Sequence, residues 1–375
     1  MASLATFGND LFTGRRQIDF IGKRKRWYAL TALLLALAAV GLFGRGLNFG
    51  LEFTGGSELR VPGVSSTHDY DTRAEKAVRS ATGSNADIVV TKLGSDTIRV
   101  QSEKLGNGTA DATDAVKTSL AKEFGVSPSN VTSSFIGPSW GETVTHKAIV
   151  ALFVFLAFVS VLLALYFRTW TMAAAALIAL LHDLFFTVGI YALTGLEVTP
   201  ATMIGFLTIL GYSIYDTVVV FDKVRENTSE AFATGRRSFD QAANYAVNQT
   251  LVRSINTSVV ALLPISAILV VGALFIGPST LLDIAVALFI GIAVGTFSSI
   301  FIATPALTDL RRREKGVQEL ARRAGSYQSR ATTDDEHATA ASASGVVTAP
   351  APSQGGGASQ TARTRGIHPA AKRDD

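Results

Sequence analysis

Residues 199–221, TPATMIGFLTILGYSIYDTVVVF, constrain this chain more than any other stretch. About 20 apolar residues, each rising ~1.5 Å, cover the hydrocarbon core of a bilayer as a helix. Asp216 lies inside that run. An Asp at the centre of a spanning helix costs roughly 2.5–3.5 kcal/mol, and less towards an end, so such a carboxylate belongs on a protein-facing side. A second run, residues 251–276, carries Arg253 near its start. The two runs are antiparallel neighbours, which puts both charges at similar depth and predicts that they face each other.

Four further runs of the same kind complete a set of six expected spans: 27–45, 147–167, 171–193, 199–221, 251–276 and 280–304. Composition agrees: the chain is 48% hydrophobic and 17% charged, against about 25% charged in soluble proteins. The net charge of +4 raises the question of nucleic acid. Its basic residues cluster beside apolar runs instead, which is a topological pattern, and no nucleic-acid partner is expected. Lys23-Arg24-Lys25-Arg26 precedes the first run; Arg168, then Lys223, Arg225, Arg236 and Arg237, then Arg311-Arg312-Arg313 and Lys315 fall in alternate connections. The short loops 194–198 and 277–280 contain no Lys or Arg. By the positive-inside rule, 1–26, 222–250 and 305–375 are cytoplasmic and 46–146 lies outside, in a multi-pass plasma-membrane protein. No small-residue cleavage site follows the first run, so no cleavable signal peptide is expected. Cysteine is absent, which excludes disulfides, thiol chemistry and Cys-based metal sites.

Residues 46–146 read as strand 57–61, helix 70–81, strand 86–93, strand 97–102, helix 111–124 and strand 130–136. Val116, Leu120 and Phe124 recur at helical spacing, and Gly94-Ser95-Asp96 is a turn signal between the middle strands. A βαββαβ order is ferredoxin-like. The expected fold is therefore an α-helical polytopic membrane protein, with a small ferredoxin-like α+β extracytoplasmic domain between helices 1 and 2. From about residue 326 the chain is rich in Ala, Ser, Thr, Gly and Pro, and a disordered tail is expected.

Ala201, Gly205, Thr208, Tyr212 and Asp216 recur at three- and four-residue steps, a small and polar stripe suited to close helix approach. The functional reading of Asp216 is proton uptake and release; the bland one is a carboxylate near a helix end that reaches water. Arg253, followed by Asn256 and Thr257, reads as its counter-charge or as an ordinary positive-inside anchor, and Pro264 suggests a hinge. His182-Asp183 sits mid-span, as a relay or a structural polar pair. Gly137-Pro138-Ser139-Trp140-Gly141 fits the letters G-x-S-x-G but lacks the strand–turn–helix setting of a nucleophile elbow. Asn107-Gly108-Thr109 and Asn130-Val131-Thr132 match glycosylation sequons, a pattern common by chance. No P-loop, H-E-x-x-H or dinucleotide glycine fingerprint occurs, so no cofactor, metal or enzymatic activity is expected.

At these residues the chain resembles the SecF branch of the SecD/SecF protein-export family, within the resistance-nodulation-division superfamily. Gly50, Glu52, Phe53, Gly55 and Gly56 lie in a segment similar to the family's G-[IL]-D-F-x-G-G signature, with Glu52 where Asp is usual. His182-Asp183 matches a His-Asp pair of the third span. Residues 211–227 resemble G-Y-S-x-N-D-[ST]-[IV]-V-V-x-D-R-[IV]-R-E-N, with Tyr215 in place of Asn, and residues 250–254 match T-L-x-R-[ST]. The resemblance implies a heteromer with SecD, association with the SecY-E-G channel complex, and use of the proton motive force to draw a translocating preprotein outward in the Sec pathway. It implies proton-transport roles for the positions of Asp216 and Arg253. A small-molecule or lipid exporter of the same superfamily, an intramembrane enzyme and a passive assembly scaffold are the alternatives.

Overall fold

The computed structural model describes residues 9–65, 68–83, 88–93, 96–102, 110–276 and 279–343. Gly94 and Ser95 of the expected turn, the sequon at 107–109, residues 277–278 and the tail from 344 lie outside the described residues. One compact unit runs to Tyr327, and a second begins at Gln328.

Helix α1 (Arg24–Val40) continues as a π-helical turn over Gly41–Arg45. The small α+β unit follows: β1 (Asn48–Phe49), α2 (Leu51–Thr54), β2 (Gly56–Val61), α3 (Tyr70–Thr82), β3 (Ile88–Leu93), β4 (Thr97–Ser102), α4 (Ala110–Phe124) and β5 (Thr132–Ile136). Then come α5 (Pro138–Phe167), α6 (Trp170–Thr194), β6 (Glu197–Val198), α7 (Pro200–Thr234), α8 (Phe239–Val271), α9 (Thr280–Ser298), α10 (Thr304–Arg311) and α11 (Lys315–Ala343). A π-helical turn, Ser299–Ala303, joins α9 to α10. Among the described residues, six helices are long and apolar enough to cross a membrane: α1, α5, α6, α7, α8 and the α9–α10 rod. This is a multi-pass helical membrane protein.

The four-stranded sheet has the order β3-β4-β2-β5 with every neighbour antiparallel, the ferredoxin-like arrangement expected from the sequence. Ala74, Ala77 and Val78 of α3 and Val116, Leu120 and Phe124 of α4 cover Leu59, Val61, Ile98 and Val100 of the central strands. Three-and-four spacing on the helices meets period-two alternation on the strands, so each element presents one apolar face.

The glycine-rich signature segment ties this unit to the bundle. β1 pairs in parallel with β6 of the α6–α7 connection, and the Gly50 amide donates to the Val198 carbonyl at 2.9 Å. Phe53 packs with Tyr191, Val198 and Phe206. Gly141 of α5 lies so close to α2 that an added Cβ would sit 2.5 Å from the Phe53 carbonyl oxygen. Gly55 and Gly56 have φ of 75° and 139°, which side chains other than glycine adopt only with strain.

Three features differ from expectation. The expected loop 222–250 is helical, because α7 runs on to Thr234 and α8 starts at Phe239. Its small and apolar residues, including Val224, Ala231, Ala242 and Ala246, fall at helical spacing and are buried. Only a tight connection remains, with Gly235 at φ 67° and a Ser238–Gln241 capping box. Second, α5 begins at Pro138, well before the expected span. Third, α11 reaches Ala343, where disorder was expected; residues 326–343 contain neither Gly nor Pro and are Ala-rich, which favours helix. Pro264 lies within α8, which continues past it.

Candidate functional site

The candidate site begins with the spacing of small residues on two parallel helices. Gly205, Ile209 and Ser213 of α7 meet Ala287, Gly291 and Gly295 of α9 at successive four-residue steps. A Cβ added at Gly205 would lie 2.6 Å from the Ala287 Cβ, one at Gly291 would overlap Ile209, and one at Gly295 would lie 3.1 Å from the Ser213 Cβ. This is small-residue packing of the kind that lets membrane helices approach closely. The seam differs from the expected stripe: Ser213, not Tyr212, aligns with Asp216, while Thr208 is exposed and Tyr212 half-buried.

At the end of the seam Asp216 is buried, 4% exposed. Its Oδ1 accepts from the Ser254 hydroxyl of α8 at 2.8 Å, and its Oδ2 accepts a short hydrogen bond from the Ser299 hydroxyl. Ser299 opens the π-helical turn between α9 and α10. Such turns insert one residue into the helical register and occur often at functional sites. One turn back along α7, the Ser213 hydroxyl donates to Asp183 Oδ2 of α6, and His182 Nδ1 lies 3.1 Å from Asp183 Oδ1. Asp183, Ser213, Ser254 and Ser299 are all essentially inaccessible. Two carboxylates and three serines from four spans therefore form a buried polar layer. Ser258 and Thr296, 2.6 Å apart, add a further link between α8 and α9.

The expected pairing of Asp216 with Arg253 is not formed. Arg253 is exposed, as is Asn256, and Thr257 donates to its own helix at the Arg253 and Ser254 carbonyls. The reason is geometric: neighbours on a helix point about 100° apart, so a helix that aims Ser254 at Asp216 aims Arg253 away. His182 and Asp183 do meet, although adjacent residues leave a helix in different directions. His182 Nε2 is buried with no hydrogen-bond partner among the described residues. The ring borders a cavity of about 740 Å³ whose lining includes Tyr28, Thr31, Leu35 and Phe185.

A second charged cluster lies where the small unit meets the bundle. Arg99 of β4 pairs with Glu197 of β6 at 2.5 Å and approaches Glu58 at 3.9 Å. The Gln101 amide donates to Glu197 at 3.2 Å and to Glu58 at 3.3 Å. The Thr199 hydroxyl, part of the α7 capping box, donates to Asp283 at 3.1 Å. Burial, together with the charges of Glu197, Glu58 and Asp283, raises Glu52 above the ordinary carboxylate range, against a hydrogen bond from its own backbone.

Sequence reading missed Ser213, Ser254 and Ser299. The signal was present in two places: a small residue at 287, 291, 295 and 299, and a hydroxyl immediately after Arg253.

Comparison with known proteins agrees with this architecture. The family model described as "Protein export membrane protein SecD/SecF, C-terminal" matches residues 116–313, and that of the SecD/SecF GG motif matches 40–62. Protein translocase subunit SecF of Streptomyces coelicolor is 42% identical over 354 residues, covering 94% of this chain and 92% of the relative. SecF of Mycobacterium tuberculosis H37Rv is 39% identical over 327 residues, covering 85% and 72%. The crystal structure of SecDF from Thermus thermophilus superposes with a TM-score of 0.67 at 31% identity, over 80% of this chain but only 39% of that longer one. Matching motifs, matching fold and near full-length similarity together show that this chain belongs to the SecD/SecF family of protein-export membrane proteins, among its SecF members.

Proposed function

We propose that this chain is the SecF-like subunit of a protein-export machine, working with a SecD-like partner to couple the proton motive force to late translocation of secreted chains. The observation that carries the reading is the buried Asp216, held by serines from two neighbouring spans in a family of export proteins. On the orientation expected from the basic connections, both termini face the cytoplasm and the small α+β unit faces outward, where a preprotein leaves the SecY-E-G channel.

An ionised Asp216 accepts charge-assisted bonds from α8 and from the π-helical turn after α9, each worth about 1.5–3 kcal/mol. Protonation turns these into ordinary neutral bonds and weakens the grip of both helices on α7. A proton falling through 100 mV releases about 2.3 kcal/mol, enough to bias such a two-state rearrangement and not enough to unfold a domain. Because β6 joins α6 to α7 and pairs with β1, a shift of α7 reaches the small unit directly. His182 and Asp183, joined to α7 through Ser213, extend the same polar layer as a relay.

The exposed Arg253 supports the partner. A guanidinium facing lipid at membrane depth is costly, so the face of α8 carrying Arg253, Asn256, Val260 and Leu263 is the one a SecD-like subunit covers. The fused SecDF relative of Thermus thermophilus, of which this chain matches 40%, supports the same arrangement.

The test is reconstitution of the chain with its SecD-like partner and the channel in proteoliposomes. Asp216→Asn should abolish both proton flux and proton-dependent stimulation of export while co-purification with the partner is unchanged. Undiminished stimulation in that variant removes Asp216 from the mechanism; drug efflux without any effect on secretion would indicate a small-molecule exporter instead.

A further inference from the structure

Strand β5 is an edge. It pairs with β2 on one side only, and no strand among the described residues lies against its other side. A bare edge presents unpaired backbone N–H and C=O groups to any extended chain, and proteins usually blunt it with Lys, Pro or inward-pointing charge. Residues 129–137, SNVTSSFIG, contain no charge and no proline. The opposite edge strand, β3, carries Lys92.

Side chains say the same. Thr132, Ser133, Ser134 and Phe135 are all exposed. Phe135 and Ser133 lie opposite Ser57 and Leu59, so they point to the face of the sheet that α3 and α4 cover. The helix cover is incomplete at the end of β5: Leu59 is fully buried, while Phe135 is 58% exposed. On the other face, Thr132 and Ser134 border a cavity of about 320 Å³ walled by Glu52, Glu58 and Arg60.

We propose that the free edge of β5 binds an extended segment of the polypeptide being exported, which adds to the sheet as a fifth strand. This rests on the export reading above and names the surface and mode by which the small unit acts on its client. Edge addition draws on backbone hydrogen bonds, with side-chain pockets adding selectivity. The three hydroxyl side chains of β5 add little selectivity, which suits a client whose sequence varies from one exported protein to the next. A permanent subunit interface is larger and more apolar than this five-residue polar strip. Phe135 supplies one apolar contact on the helix side.

The experiment uses the reconstituted complex with a stalled translocation intermediate and a photo-reactive phenylalanine analogue at Thr132 or, as a control, at exposed Thr118 of α4. The expected result is adducts with the stalled chain from position 132 at several times the control yield. Ser133→Lys combined with Ser134→Lys, both solvent-facing, should cut that yield and the export stimulation severalfold while proton flux persists. Adducts only with the SecD-like partner, or no difference from the control in a complex that still shows Asp216-dependent stimulation, overturn the edge proposal and leave the export reading standing. A wild-type complex that gives no stimulation at all overturns both.

Discussion

Ser299→Ala isolates the hydrogen bond that the π-helical turn delivers to Asp216. Ser299 is fully buried, and alanine differs from it by the hydroxyl alone, so the substitution opens no cavity of consequence and leaves the helix intact. What it removes is one of the two serine donors that hold the carboxylate. A hydrogen bond to a charged group is worth about 1.5–3 kcal/mol, which shifts the equilibrium between the clamped and released arrangements roughly 10- to 150-fold. If one proton crosses the full potential per cycle, that energy equals about 65–130 mV of membrane potential at ~2.3 kcal/mol per 100 mV. The assay is export rate in proteoliposomes against a potassium diffusion potential. The Ser299→Ala curve should be displaced towards lower potential by about that amount, with raised export at zero potential. Ser254→Ala should do likewise, and the double variant should fall short of the sum, because both serines act through one carboxylate. A voltage dependence that superimposes on wild type, in a complex that Asp216→Asn inactivates, refutes the clamp: Asp216 would then act without the helices it bonds to.

Glu52 provides a pH test on the small unit. Its folded-state affinity for protons is raised by burial and by Glu197, Glu58 and Asp283; its contribution is therefore most favourable below the ordinary carboxylate range and is lost as pH rises through the raised value. Melting temperature should fall as pH rises above the ordinary carboxylate range, and Glu52→Gln should flatten that decline, whereas an unchanged slope assigns it to other groups. Gly291→Val drives a branched side chain into Ile209 across the α7–α9 seam; overpacking of this kind costs about 1–3 kcal/mol, read as a lowered midpoint in thermal unfolding in detergent. Gly295→Ala places a Cβ 3.1 Å from the Ser213 Cβ and disturbs the bond to Asp183, while Ser213→Ala removes that bond without crowding. Loss of proton flux in both variants, with assembly intact, ties Asp183 to the transport cycle; full flux in Ser213→Ala makes the bond structural.

The fold was legible because its determinants are local and periodic. Six apolar runs with basic residues in alternate connections defined the spans, and alternation in Ser57–Val61 against three-and-four spacing in Val116, Leu120 and Phe124 defined the small unit. What escaped were features that depend on rotation about a helix axis. The depth of Asp216 and of Arg253 follows from counting residues, but which of Arg253 and Ser254 turns inward follows from how α8 packs on α7 and α9. The π-helical turn at Ser299 escaped for the same reason: the sequence SSIFIA reads as ordinary apolar helix, and only the register of α9 against α10 reveals the inserted residue. The helical extensions of α7 and α8 were hidden by their charges, which mark the membrane boundary without ending the helix.

If Asp216 carries protons as proposed, the buried layer bears on their route. On the side of the small unit the seam is closed: Gly205 against Ala287, Ile209 against Gly291 and Ser213 against Gly295 leave no width for water along the α7–α9 interface. Asp216 and Asp183 therefore lie at the inner end of a sealed contact, each anchored to a serine on another span. A proton arriving from the small unit's side must wait for that seam to part or travel along the α8 face, where Arg253 stands exposed. Parting the seam costs many small contacts at once, whereas the α8 face needs only a partner subunit to line it. On the proposed function, the second route places the entry path between two subunits rather than within this one. On that reading Arg253, turned away from Asp216, lies on the boundary with the partner, while Ser254 and Ser299 hold the carboxylate itself.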